Sequence, residues 1–288
     1  MNRSVWLWVV ALLVTLASAR WQRTTGPTYE LSGTVPLGGI AVHYVLERTH
    51  AGPGGHRVAI GPLPADVTGV TEWKHYRSDE AWTVLEMRRD GDRLTAELPH
   101  QAPARKLWYR VRLRRGAQAA LVPADRPATI RFRGEVPAGV LLPHIVFMFL
   151  GMLLSTRAGL EAFSRRPRLR GLAYGALAGL FVGGLVIGPF VTHYAFGGWW
   201  SGFPLGGDLT DSKTLIAVVV WIAAAIAVGR SKVEKAWVVL AALVTLAVFA
   251  IPHSWAGGEP TYAQLDATTA PAAAPTAVAP AGDTVSGR

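Results

Sequence analysis

The chain has 288 residues, 29 Lys+Arg against 19 Asp+Glu, a formal net charge of +10 and no cysteine. Half of it is hydrophobic and 17% is charged, against about 25% in an ordinary soluble domain. The missing cysteine excludes disulfide scaffolds, thiolate nucleophiles, Cys-ligated zinc, iron–sulfur clusters and a lipoprotein anchor.

Ser4 to Ala19 is an apolar stretch behind Arg3 that ends in Ala17-Ser18-Ala19, a small-x-small pattern. Residues 1–19 therefore read as a signal peptide or a signal anchor. Residues 20–137 hold no long apolar run and alternate with period two. Ile40, Val42, Tyr44 and Leu46 form one such series, and Leu94, Ala96 and Leu98 a second. A third is Leu107, Tyr109, Val111 and Leu113, and Ile130 with Phe132 make a fourth. Alternation of this kind marks strands with one buried face. Asp90-Gly91 reads as a hairpin turn and residues 51–55 as another turn. Seven to nine strands are expected, in an extracytoplasmic β-sandwich.

Residues 91–99, a strand closing on Leu98-Pro99, precede Lys106-Leu107-Trp108-Tyr109-Arg110-Val111, whose Tyr faces the core. This segment resembles immunoglobulin- or fibronectin-III-like modules. The resemblance covers about a third of the chain and implies a sandwich fold, not an activity. His43, His50, His56, His75 and His100 have no metal-ligand spacing and read as solvated surface histidines. Trp108, Arg110, Arg112 and Arg114 share one strand face, a basic aromatic stripe able to dock on anionic headgroups or an acidic partner. The same stripe also reads as a wet sheet face protected by charge.

Four apolar spans follow, at 140–155, 171–192, 214–229 and 236–251, forming a transmembrane bundle over 138–255. The loop 156–170 carries five arginines against Glu161, and 229–235 carries Arg230, Lys232 and Lys235 against Glu234. The loop 193–213 and the tail 256–288 are acidic on balance. The basic loops thus face the cytoplasm, with the sandwich, the loop 193–213 and the C-terminus outside. The span interiors carry no Asp, Glu, Lys or Arg, which argues against a pump or secondary transporter.

Gly171, Gly175, Gly179 and Gly183 recur every four residues and mark a close-packing helix face, within the chain or toward another membrane protein. His144, His193 and His253 fall at one leaflet boundary, with Asp208 and Asp211 nearby. They are candidate ligands for a haem or a metal ion. Equally, they sit at headgroup depth beside a belt of Trp199, Trp200 and Trp255, with Asp211 capping the third span. The Ala/Pro-rich tail 256–288 reads as disordered.

The expected fold class is thus an α-helical membrane bundle bearing an exported all-β sandwich, in the bacterial inner membrane. With no nucleophile, Walker or zincin motif, the chain reads as a non-enzymatic structural or accessory subunit of an envelope complex. Its partners are the lipid bilayer and another membrane protein or a second copy. The alternative is a haem- or metal-binding electron-transfer subunit, and the third a channel or transporter component. Nucleic acid is not an expected partner, since the basic loops account for much of the charge.

Overall fold

The computed structural model describes residues 3–206 and 209–252. The chain divides after Gly258 into two compact units. The second, Glu259–Arg288, lies outside the described residues, as do His253, Trp255 and Asp208.

Among the described residues the chain opens with helix α1 (Arg3–Thr25). Eleven strands follow: β1 (Leu31–Leu37), β2 (Ile40–Leu46), β3 (Thr49–Ala51), β4 (His56–Ile60), β5 (Val67–His75) and β6 (Thr83–Glu86), then β7 (Arg88–Asp90), β8 (Arg93–Leu98), β9 (Lys106–Arg115), β10 (Gln118–Val122) and β11 (Ala128–Arg133). Helix α2 (Ala138–Glu161) comes next. Helix α3 (Leu169–Leu180) passes through a π-helical turn (Phe181–Ile187) into α4 (Gly188–Phe196). Helices α5 (Leu209–Ala227) and α6 (Glu234–Ala250) complete the set.

The strands make three sheets: the β1–β2 hairpin, β4-β8-β7, and a larger sheet in the order β3-β11-β9-β5-β6. The long strand β9 is its centre. One edge pairs with β5 throughout, while the other pairs first with β11 and then with β10. β3 joins β11 in parallel. The alternating residues Leu107, Tyr109, Val111 and Leu113 are all fully buried, as the period-two pattern requires. All three sheets contribute to one core, in which Val35, Val58, Ile60, Leu98 and Phe132 take part. Tyr109 satisfies its buried hydroxyl by donating to the Glu47 carbonyl at 2.6 Å. Burial pushes its pKa upward. Asp90-Gly91 does make the β7–β8 hairpin, with Gly91 at φ 59°.

Among the described residues four helical segments are long and apolar enough to cross a membrane: Arg3–Thr25, Ala138–Glu161, Leu169–Phe196 and Thr210–Ala227. The fifth, Glu234–Ala250, has 17 residues, which is about 25 Å of helix. Their core mixes small and large side chains, with Ala158, Ala173, Ala217, Ala224 and Ala241 around Trp221 and Leu180. Trp221 is fully buried and donates to Thr245 Oγ1 at 2.9 Å, joining α5 to α6.

The helices run alternately up and down. At the end remote from the sheets, Arg3 donates to the Phe163 carbonyl, and Lys235 reaches the Ser164 carbonyl. At the sheet-side end, Trp21 donates to the Ala250 carbonyl and Lys213 to the Ile251 carbonyl at 2.6 Å. The helices exceed the apolar runs read from sequence. Arg157 and Glu161 lie within α2 rather than in a loop and pair at 2.7 Å, and Asp211 and Lys213 lie in the first turns of α5. These charges stand toward the helix ends, outside the apolar spans. Each of the four has a partner within the fold.

The π turn has a local cause. Pro189 has no N–H to give to a carbonyl four residues back. The preceding Gly188 instead donates to the carbonyl of Gly183, a five-residue closure.

Candidate functional site

The sheet domain joins the helices with no slack. The N–H of Gly134, just past β11, donates to the carbonyl of Ala195 in α4 at 2.9 Å. A Cβ at Gly134 would collide with the Tyr194 carbonyl, so only glycine allows this approach. One residue pair away, the Arg131 guanidinium lies 4.8 Å from the centre of the Phe196 ring. The one sign of this contact along the chain is the short stretch between β11 and α2.

Under this junction is a cavity of about 500 Å³. Its rim is polar, with Gln22 and Arg23 from the end of α1, Thr49 from β3, and Arg131 and Arg133 from β11. Farther along the helices the lining is mostly apolar, with Met148, Phe149 and Met152 on α2 beside His144 and Thr214, while Val191 on α4 and Phe249 on α6 lie nearer the sheets. Gly184 of the π turn and Gly188 at the start of α4 also line the space, and a Cβ on Gly184 would collide with Thr214 of the neighbouring wall. The Nε2 of Gln22 is buried without a hydrogen-bond partner. A mostly apolar concavity of this size with a few convergent polar groups has the general form of a small-molecule site.

The predicted ligand residues distribute unevenly around it. His144 lines the cavity, and its Nδ1 lies 2.8 Å from the Gly183 carbonyl, so that nitrogen donates and Nε2 keeps the lone pair. His193 does not join it in that role. Its ring stacks on Trp199 with centroids 4.1 Å apart, and its Nδ1 is buried without a partner. Asp211 lines the cavity in the first turn of α5. Its Oδ2 accepts from both the N–H and the hydroxyl of Ser201, at 2.8 and 2.9 Å. It therefore ties the preceding loop to the helix rather than capping α5 in the ordinary way. His253 and Asp208 lie outside the described residues. Among the described residues no three His, Asp or Glu side chains come together as a metal site.

The glycine face is directed at α2. A Cβ on Gly179 would lie 2.7 Å from Gly151 Cα, on Gly183 3.0 Å from the Met148 backbone, and on Gly175 2.9 Å from the Leu154 side chain. Gly171 has nothing within 4 Å. Gly151, the partner of Gly179, starts a small-residue series of its own with Ser155 and Gly159, also spaced by four, and went unmarked.

The basic stripe exists as a face but is internally paired. Across the β5–β9 ladder, Glu72 stands opposite Arg110 and Lys74 opposite Trp108. Glu72 is only 5% exposed and holds Arg110 and Arg112, each at 2.6 Å. Lys74 lies between the rings of Trp82 and Trp108, 5.4 Å from each centre, and Arg110 also covers Trp82 at 4.4 Å. Arg114 remains an exposed residue of the face. The surface assignment of the histidines fails at His56, which is 4% exposed. Its ring meets His50 at 5.4 Å and Tyr109 at 6.3 Å. Burial first, and then His50, pull its pKa down to about 4. The turn 51–55 brings His56 to the start of β4, with its side chain on the core face. Compared with protein-family models, with curated protein sequences and with solved structures, the chain matches none.

Proposed function

We propose that the chain is a multi-pass protein of the bacterial cytoplasmic membrane, a non-enzymatic structural or accessory subunit of an envelope complex. The observation that carries this is the outward face of the helices. Ile216, Val219, Ile222 and Ile226 stand exposed along α5, and Leu142, Val146 and Leu150 along α2. Water would not tolerate such a surface, whereas lipid or a partner helix covers it. Basic residues at the end remote from the sheets, Arg165, Arg166, Arg168, Arg230 and Lys232 among them, favour that end in the cytoplasm. The sheet domain is then exported. Its parallel β3–β11 edge beside β9 and β5 supports an immunoglobulin- or fibronectin-III-like sandwich.

The contacts of α1 favour a retained anchor. Its Ala11 and Thr15 are buried and its Trp8 ring lies 5.3 Å from the Arg157 guanidinium. A sandwich clamped at Gly134 suits a subunit that presents a fixed surface to a neighbour. The test is mild extraction of the membrane fraction, cross-linking and native mass analysis. A stoichiometric second membrane protein or second copy is expected. A strictly solitary chain refutes the subunit role, and a Soret band or stoichiometric metal in the purified protein establishes the electron-transfer alternative instead.

A further inference from the structure

We infer that the junction cavity is a binding site for a long-chain amphiphile with an anionic head, a carboxylate or a phosphate. This rests on the membrane reading above for the supply of such molecules, but its carrying observations are the cavity's own. The cavity is polarised along its length. Three guanidinium-bearing residues, Arg23, Arg131 and Arg133, contribute to its walls, against the single carboxylate of Asp211, which is already engaged by Ser201. An anion at the rim meets net positive potential and planar donors suited to carboxylate or phosphate. The Gln22 amide, buried and short of an acceptor, adds a donor at the same rim.

Below the rim the walls lose polarity. Met148 and Met152 are one turn apart on α2, and the lining of that helix runs from His144 to Met152, eight positions. That is about 12 Å along the axis, room for the head-proximal part of an acyl chain rather than for a compact anion alone. Methionines are compliant walls for a flexible chain. Gly184 and Gly188 line the opposite side without side chains of their own. A free inorganic anion would leave these apolar walls uncovered, and a neutral lipid would make no use of the positive potential at the rim.

The test is native mass spectrometry of the full chain released from micelles doped with phosphatidylglycerol, oleate or phosphatidylcholine. One phosphatidylglycerol or one oleate is expected to stay bound, and phosphatidylcholine is not. Retention of the glycerolipid alone identifies a membrane lipid, and retention of oleate alone identifies a free fatty acid. The double variant Arg23→Gln/Arg133→Gln loses retention by about tenfold or more. Arg88→Gln, exposed on β7 and outside the cavity lining, leaves it unchanged. Met152→Trp fills the apolar end and displaces the chain while the rim stays intact, which guards against misfolding of the double variant as an explanation. Equal retention of phosphatidylcholine, or unchanged retention in both cavity variants, overturns the site. Failure of the membrane reading would show separately, as protein in the aqueous fraction after cell disruption.

Discussion

The contact between α2 and α3 makes the glycine face testable residue by residue. Replace Gly179 with alanine. The new Cβ would stand 2.7 Å from Gly151 Cα and 2.8 Å from Gly151 N. Both are main-chain atoms, so no rotamer change relieves the overlap. Carbon atoms settle at about 3.5–4.0 Å, so the two helices must separate locally by about 1 Å. A gap of that order forfeits between about a quarter and a half of each neighbouring dispersion contact. Overpacking of a tight interface costs about 1–3 kcal/mol, and alanine's helix preference returns at most about 1 kcal/mol. The net expectation is a loss of about 1–2 kcal/mol. Gly175→Ala meets only the tip of Leu154 and should cost less than about 1 kcal/mol, since that side chain can turn aside. Gly171→Ala meets nothing within 4 Å and should be neutral or slightly stabilising. Thermal unfolding of the three variants in one detergent gives the order. Gly151→Ala should match Gly179→Ala, and the double variant should fall short of additive, because the second methyl enters a contact already opened. Equal melting temperatures for Gly171→Ala and Gly179→Ala would refute the assignment of this face to α2.

His56 makes the sheet domain acid-sensitive. Its folded pKa of about 4 lies below the unfolded value of about 6.5, so the neutral ring contributes fully above that pH and its contribution is lost as the pH falls toward 4. Between about pH 7.5 and 4.5 the wild type should lose about 2–3 kcal/mol more than His56→Leu in matched unfolding curves, and parallel pH profiles would contradict this. Glu72→Gln leaves Arg110 and Arg112 without their shared counter-ion. About 1–3 kcal/mol of stability should go, less in high salt; an unaffected denaturation midpoint would show that the pairs do not hold the face together. If α1 remains in the bundle, intact-mass measurement of the membrane-extracted protein will include residues 4–19. A mature chain starting at Arg20 would refute retention.

Several features were open to inspection in the sequence because they are local and periodic. The buried face of β9, the Asp90-Gly91 hairpin, the long apolar helices and the four-residue glycine spacing are of this kind. What escaped is non-local or short. β3 and β7 have three residues each, too few for a period to register. The Gly38-Gly39 hairpin, with φ 56° and 82°, joins strands whose alternation was noticed on one side only. Arg157, Glu161 and Lys213 looked like loop residues because charge usually ends an apolar run. Their partners, separated in sequence or a turn away, keep them in helices. For the cavity, only His144 and Asp211 were flagged. Arg23, Arg131 and Arg133 come from an N-terminal helix and an edge of the sheet domain, and nothing in their spacing announces that folding brings them to one rim.

The π turn at Phe181–Ile187 also acts as a phase shifter. A five-residue closure accommodates one residue more than the α register would, and each helical residue turns the chain by about 100°. Before the turn, the period-four glycines keep one azimuth against α2. Beyond it that azimuth is reset, which brings the end of the rod to the orientation in which Ala195 receives Gly134 and His193 meets Trp199. Deleting a single residue between 181 and 187 would therefore do more than shorten a helix. It would rotate α4 about its own axis, withdraw the Ala195 carbonyl from the sheet domain and turn Val191 and Thr192 away from the cavity they line. The angular setting of the docked domain is thus encoded eight to fourteen residues away from the Ala195 dock itself.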